Sequence, residues 1–383
     1  MKKINVGFIG MGYVSDFHID ALKRIGMVEI VATTDINLKL AEKKSAYYSI
    51  PKVYKSAEEL LQDDNINVIH NCTPNYLHFE INKKAIESGK HVFSEKPLTI
   101  NSVESTKLIS LLESNRNIVA GVNFLYRMNP LVQEIKQKIK NGDIGKPILA
   151  HGSYLQDWLL YQTDYNWRVE KKLGGASRVV ADIGSHWIDA VQTVLGNKIS
   201  EVSADLVTVH KIRKKPKNQI ETFAKNVNTE YEDVDIDTED YGAVLFKMSN
   251  DVSGVFYVSQ VSAGRKCYLN FEIDGSESSV YWNQEIADWM WVGYRDSYNQ
   301  QVMRNPNIIS YEASQYTKLA AGHPEGWNDA QKNNIYSFYK YIIEGKKLGS
   351  DSTDFANFED AHYIAKLIEA IIESSKSRKW VKL

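Results

Sequence analysis

Cysteine is almost missing: Cys72 and Cys267 are the only two, far apart in sequence and in no metal-ligand spacing. That leaves no disulfide framework and no cysteine-based zinc site, and the pair reads as reduced structural thiols of a cytosolic protein. Long apolar runs are missing as well, none reaching the ~18 residues that a membrane-crossing helix needs. Basic charge has no excess, since 46 Lys and Arg face 48 Asp and Glu for a formal net charge of −2. Nucleic acid is therefore not an expected partner, and the one dense basic run, Lys211 to Lys217, reads as a short solvated loop. Internal repeats and low-complexity linkers are absent too. The opening MKKINVGFIGMG breaks its apolar stretch with glycine and offers no small-residue cleavage site, which predicts a first strand and not a signal peptide. What remains is a composition 43% hydrophobic and 25% charged over 383 residues. This is a soluble globular balance, long enough for two domains.

Over the first hundred and twenty residues, short apolar runs alternate with amphipathic stretches. Strands are predicted at 4–9, 29–33, near Val53, 68–71, 91–93 and 118–121, with helices between them, such as 76–88 with Leu77, Ile81, Ala85 and Ile86 at helical spacing. Parallel strands joined by crossover helices make a doubly wound sheet, which takes ligands at the carboxyl ends of its strands. The first strand runs into Gly10-Met11-Gly12-Tyr13-Val14-Ser15, a G-x-G-x-x-S form of the dinucleotide fingerprint. Gly10 permits the tight turn, Gly12 lets backbone approach a pyrophosphate, and Ser15 stands where a third glycine is usual. Asp35 ends the second strand, placed to accept hydrogen bonds from an adenosine ribose and to repel a 2′-phosphate; this favours NAD over NADP, while an N-cap role for Asp35 stays open. The fourth strand ends in Asn71-Cys72-Thr73-Pro74-Asn75 and the fifth in Ser94-Glu95-Lys96-Pro97. A lysine on that rim can stabilise an alcohol oxygen as it becomes an alkoxide, although most lysines are merely solvated.

Beyond Gly121 the pattern changes. A helix is predicted over 127–140, and period-two alternation follows at 148–156, 201–209, 241–248, 254–261 and 267–273, arguing for a mainly antiparallel sheet. The polar stretch 211–240 reads as an excursion between strands, and helical spacing returns at 328–343 and 358–374. Within 180–189 (VADIGSHWID), a helix would place Asp182, His186 and Asp189 at i, i+4 and i+7, so that a carboxylate and an imidazole share a face as a general base needs. A capped helix with a core histidine explains the same residues, and a metal site is disfavoured because one helix supplies few ligands.

Together, the Gly10/Gly12 turn, the Glu95-Lys96-Pro97 tripeptide and the D-x-G-x-H-x-x-D pattern from Asp182 resemble the glucose-fructose oxidoreductase and inositol dehydrogenase (Gfo/Idh/MocA) family. The resemblance implies an NAD-binding Rossmann domain over 1–122. It implies a substrate-binding and oligomerisation α/β domain with a large open, mainly antiparallel sheet over 123–383, and an active site between the two. It matches Lys96, Asp182 and His186 to the catalytic positions, and implies a cis Lys96–Pro97 bond. Cofactor contacts are implied for Gly10, Met11, Gly12, Tyr13, Val14, Asp35, Thr73, Pro74, Asn75, His78, Glu95 and Lys96. Lys96, Asp157, Arg168, Asp182, His186 and His323 are implied to bind substrate, in segments similar to those of sugar- and glycoside-active members. For Trp327, stacking on a sugar and a plain core place are equally open. The expected protein is a cytoplasmic homo-oligomer, dimer or tetramer, that oxidises a ring hydroxyl of a sugar, glycoside or inositol with NAD. Glycoside cleavage by transient oxidation and a catalytically silent NAD-bound sensor are the alternatives.

Overall fold

The computed structural model describes residues 3–217 and 230–383. The chain falls into two compact units, Met1–Met128 with Asn328–Ala365, and Asn129–Trp327 with Lys366–Leu383. This differs from a single cut after residue 122. The reason is visible in the first unit's core, where Ile335, Phe338, Tyr339, Tyr341 and Phe355 pack with Val6, Phe8, Val68 and Phe93. That apolar surface has to be covered, and a later segment returns to cover it.

The first unit is built on a seven-stranded sheet in the order Ala356–Asn357, Ala120–Val122, His91–Ser94, Val68–Asn71, Ile4–Ile9, Val28–Thr34, Lys52–Val53. All neighbours are parallel except the edge pair formed by the returning Ala356–Asn357. Strand order reverses beside Ile4–Ile9, where the chain runs to Val28–Thr34 on one side and Val68–Asn71 on the other. Such a switch point is where a doubly wound sheet opens a ligand crevice. Gly121 lets the returning segment approach, since a Cβ there would lie 2.9 Å from Phe338 and 3.1 Å from Phe355.

The second unit carries a nine-stranded sheet in the order Gln300–Met303, Trp289–Tyr294, Ser278–Asn283, Tyr268–Gly275, Pro147–Leu155, Ser253–Ser259, Tyr241–Met248, Ile199–Val207, Val381–Lys382. Its one parallel pair joins Pro147–Leu155 to Ser253–Ser259, and the rest are antiparallel. Alternation works as expected in Tyr241–Met248, where Val244, Phe246 and Met248 are buried while Leu245 and Lys247 face out. The helix Ser185–Leu195 covers the buried side, with Trp187 stacked on Phe256 at 4.6 Å and its Nε1 donating to Asn270 O at 2.9 Å. Gly152 makes room for that contact: a Cβ would sit 2.8 Å from Trp187 Nε1.

Within the expected excursion, Ile212–Pro216 and Tyr231–Asp235 form a two-stranded ribbon; residues 218–229 lie outside the described residues. The basic run is not wholly solvated, because Arg213 is fully buried. Its guanidinium donates to the carbonyls of Leu159, Tyr161 and Asp164 and to Asp240 at 2.7 to 3.0 Å. A buried cation needs such partners. No helix among the described residues is long and apolar enough to cross a membrane.

Candidate active site

In the first unit the turn after Ile4–Ile9 is shaped by Gly10, whose φ of +91° favours glycine and whose added Cβ would lie 2.7 Å from the Cys72 carbonyl. Gly12 differs: its φ is ordinary, a Cβ on it would meet nothing within 4 Å, and no side chain caps the helix Tyr13–Ile25 that it opens. That open helix N-terminus is a place for a phosphate. Ser15 is buried and its hydroxyl donates to Gly12 O at 2.7 Å. Asp35 accepts from the backbone N–H groups of Met11 at 2.6 Å and Asn37 at 2.7 Å, tying the glycine turn to the second strand. The N-cap of the following helix is Asn37, not Asp35.

The two further turns on this rim are joined by His78. It is fully buried, with Nδ1 2.6 Å from Pro97 O and Nε2 2.8 Å from Thr73 O. Burial lowers its basicity, against the two carbonyls, which raise it. The ring thus lies between the carbonyls of Thr73 and of Pro97, the latter in the Lys96–Pro97 turn, whose peptide bond is cis. Thr73 itself is half-buried, its hydroxyl donating to Asn71 Oδ1 at 2.6 Å, while Pro74 and Asn75 open the short helical turn Asn75–Leu77.

Glu95 is likewise turned inward. Its carboxylate accepts from His18 Nε2 at 2.9 Å, Asn123 Nδ2 at 2.6 Å and Lys96 N at 3.2 Å. Burial pushes the carboxyl up, but the His18 bond and charge, Asn123 and Lys96 outweigh it and hold it down at about 2. Lys96 is only partly buried, on the same turn.

In the second unit Asp182 and His186 occupy one continuous helical stretch, but its first turn, Val180–Gly184, is a π-helix, with the α-helix starting at Ser185. The simple i, i+4 geometry is thus modified by an inserted bulge, a feature frequent at functional sites. Glu239 holds the entry to this turn, accepting from Ser177 Oγ at 2.5 Å, Arg178 N at 2.9 Å and Val180 N at 3.2 Å. Asp182 Oδ2 accepts from Gln260 Nε2 at 2.7 Å, and Oδ1 lies 3.8 Å from Arg168 Nε. Gln260 cannot turn over, because its oxygen accepts from Arg178 at 3.1 Å and a guanidinium only donates. His186 is 7% exposed beside Tyr154, at a ring separation of 6.4 Å. Asp189 is buried.

Of the expected substrate residues, Arg168 is brought to Asp182, with its guanidinium 4.5 Å over the Trp167 ring. Asp157 is engaged elsewhere, accepting from Gly264 N at 2.9 Å and Lys266 Nζ at 2.6 Å. His323 is exposed, on a loop organised by the buried Arg304, which donates to Thr317 Oγ1 at 2.6 Å, Leu319 O at 2.8 Å and His323 O at 2.5 Å. Among the described residues, the trio able to converge on a metal within 4.8 Å is His151, Glu272 and Asp274 on the large sheet, which includes none of these groups.

Two family profiles match: an oxidoreductase family with an NAD-binding Rossmann fold over residues 4–124, and the GFO/IDH/MocA C-terminal domain over 132–281. The chain belongs to the GFO/IDH/MocA family. It is 29% identical to a levoglucosan dehydrogenase of Pseudarthrobacter phenanthrenivorans, over 100% of this chain and 98% of that protein. It is 26% identical to a glucose-6-phosphate 3-dehydrogenase of Bacillus subtilis, over 72% of each chain. A solved levoglucosan dehydrogenase in complex with NADH and L-sorbose superposes with a TM-score of 0.89 at 27% identity, covering 100% of this chain and 99% of that one.

As a member of this family the protein is an oxidoreductase, and NAD is its cofactor. The open space at Gly12 and the uncapped helix it begins fit a pyrophosphate. Motif reading finds the glycines, Lys96, Asp182 and His186, but not the residues packed behind Lys96 and Asp182: His18, His70, Asn123, Gln260 and Arg178. The first two sit in an ordinary helix and strand. Only the folded sheet brings them together.

Proposed function

We propose that the protein oxidises a secondary ring hydroxyl of a sugar, glycoside or inositol, with the C3 hydroxyl of a sugar as the first position to test. The carrying observation is the end-to-end likeness to levoglucosan dehydrogenase, over 100% of this chain. NAD, when bound, supplies the hydride acceptor. In this reading His186 takes the hydroxyl proton, Lys96 donates to the same oxygen and stabilises the charge that develops on it, and Asp182 accepts from a neighbouring hydroxyl. Arg168 and Gln260 hold the Asp182 carboxylate ready to accept. Arg168 and His323 are assigned to other substrate hydroxyls, and Asp157 to fixing the loop at Gly264 and Lys266. Asp35 is assigned to the adenosine ribose, which makes NAD preferred over NADP. A cytoplasmic homo-oligomer belongs to the same reading.

The test is NADH formation with a panel of levoglucosan, glucose 6-phosphate, inositols and glucosides, with product analysis. At least one should be oxidised, and Lys96→Ala and His186→Ala should each lower kcat/KM by about 10²- to 10⁴-fold while NAD still binds. Normal turnover by both variants refutes the assigned roles. Release of an aglycone without net NADH would make the enzyme a glycoside-cleaving one instead.

A further inference from the structure

Four buried polar side chains of the first unit form a row that the assignments above leave unused. Tyr339 OH lies 2.8 Å from His70 Nε2, His70 Nδ1 lies 2.8 Å from His18 Nδ1, and His18 Nε2 lies 2.9 Å from Glu95 Oε1. His18, His70 and Tyr339 are 0% exposed and Glu95 is 8% exposed. They come from the helix Tyr13–Ile25, the strand Val68–Asn71, the helix Trp327–Ile343 and the turn after His91–Ser94. Four separate segments therefore meet at polar atoms inside an apolar core, at a desolvation cost that only mutual hydrogen bonding offsets.

Hydrogen counting gives the row a direction. Glu95 Oε1 takes hydrogens from both His18 Nε2 and Asn123 Nδ2, and Oε2 takes one from Lys96 N. This is the surrounding of an ionised acceptor. The facing Nδ1 atoms of His18 and His70 share a single hydrogen, and whichever ring carries it, His18 Nε2 donates to Glu95. When Tyr339 donates to His70, His70 to His18 and His18 to Glu95, every donor in the row has an acceptor.

We propose that the row Tyr339–His70–His18–Glu95 is a positioning device for Lys96, keeping Glu95 an internal anion that accepts the Lys96 N–H and fixes the backbone from which the lysine projects. This rests on the role given to Lys96 above. The charged and titratable groups facing Glu95 are His18, His70 through it, Lys96, Cys72 and His78. Burial and the Glu95 charge together push the Cys72 thiol up. Burial, then His18, hold His70 well below its ordinary basicity. Without His18, the burial of Glu95 loses its main counterweight and the carboxyl shifts up, toward its protonated form.

The experiment compares wild type, His18→Leu, His18→Gln, His70→Phe and the double variant His18→Leu/Glu95→Gln, all with NAD bound. Infrared absorption of a protonated carboxyl at pH 7 should be present in His18→Leu and absent from wild type and from the double variant. His18→Gln, which restores an N–H donor, should suppress it in part. Turnover of His18→Leu and His70→Phe should fall by about 10- to 100-fold with the KM for NAD within about threefold, and His18→Leu should gain a new acid limb in its pH profile. His70→Phe, close in size to the ring it replaces, keeps the proposal testable if His18→Leu does not fold. Unprotonated Glu95 in His18→Leu, or wild-type turnover in both single variants, overturns it. The carboxyl signal concerns Glu95 alone. A protonated Glu95 together with an active Lys96→Ala would therefore refute the functional reading and not the hydrogen-bond row.

Discussion

Asp16 sits in the first turn of the helix Tyr13–Ile25, where its charge would oppose a pyrophosphate at the helix N-terminus. Two neighbours answer it. Lys44 Nζ lies 2.8 Å from Asp16 Oδ1 and donates to Gly12 O at 2.7 Å, while Tyr48 OH donates to Asp16 at 3.0 Å. Lys44 thus neutralises the acid and braces the glycine turn from below. Lys44→Met is expected to weaken NAD binding about tenfold in calorimetric titration. If charge is the cause, adding Asp16→Asn recovers most of the loss; if bracing of Gly12 is the cause, it recovers none. Either result is informative about the mechanism, but unchanged affinity in Lys44→Met would show that the cation has no part in binding.

At the scale of elements, the strand His91–Ser94 begins with a histidine whose Nδ1 accepts from Val119 N at 2.9 Å, helping to join it to the strand Ala120–Val122. Burial lowers this ring to about 4. A folded value below the ordinary one means stability that is present above about pH 6.5 and lost as pH falls through 4, because protonation removes the acceptor. Urea unfolding is expected to show roughly 2 kcal/mol of such loss between pH 7 and 5. His91→Asn, which keeps an acceptor that does not titrate, should flatten that part of the curve; an unchanged slope would assign the effect to other groups. His70 and His78 shift in the same direction and leave a remainder.

The same scale shows what a sequence reveals. The parallel strands, the glycine turn and the strands from 148 to 273 are legible because apolar period and turn residues coincide there. The strands Ser278–Asn283, Trp289–Tyr294 and Gln300–Met303 escape notice, since residues such as Trp289 and Trp291 stand on the outward side and blur the alternation. The π-turn at Val180–Gly184 has no local signature; Glu239, nearly sixty residues later, holds its entry. His18 and His70 are equally silent, because their meaning lies in a contact between a helix and a strand.

For the whole molecule, the outward side of the large sheet raises the last question. Leu149 is 46% exposed, Leu245 50%, Val255 38% and Tyr257 43%. Strand register sets Leu245 beside Val255, Val255 beside His151, and His151 beside Glu272. The apolar row is thus continuous with a charged one that also includes Asp274, whose Oδ2 is 3.6 Å from His151 Nε2. An exposed apolar row beside acids and a base is the face on which the homo-oligomer proposed above is to be tested. Sedimentation velocity of the wild type should then give at least a dimer, and Leu245→Glu/Val255→Glu should give a monomer that still binds NAD, because neither residue belongs to the nucleotide-binding unit. A monomeric wild type, or a double variant that sediments unchanged, would mean that this face is not where the copies meet.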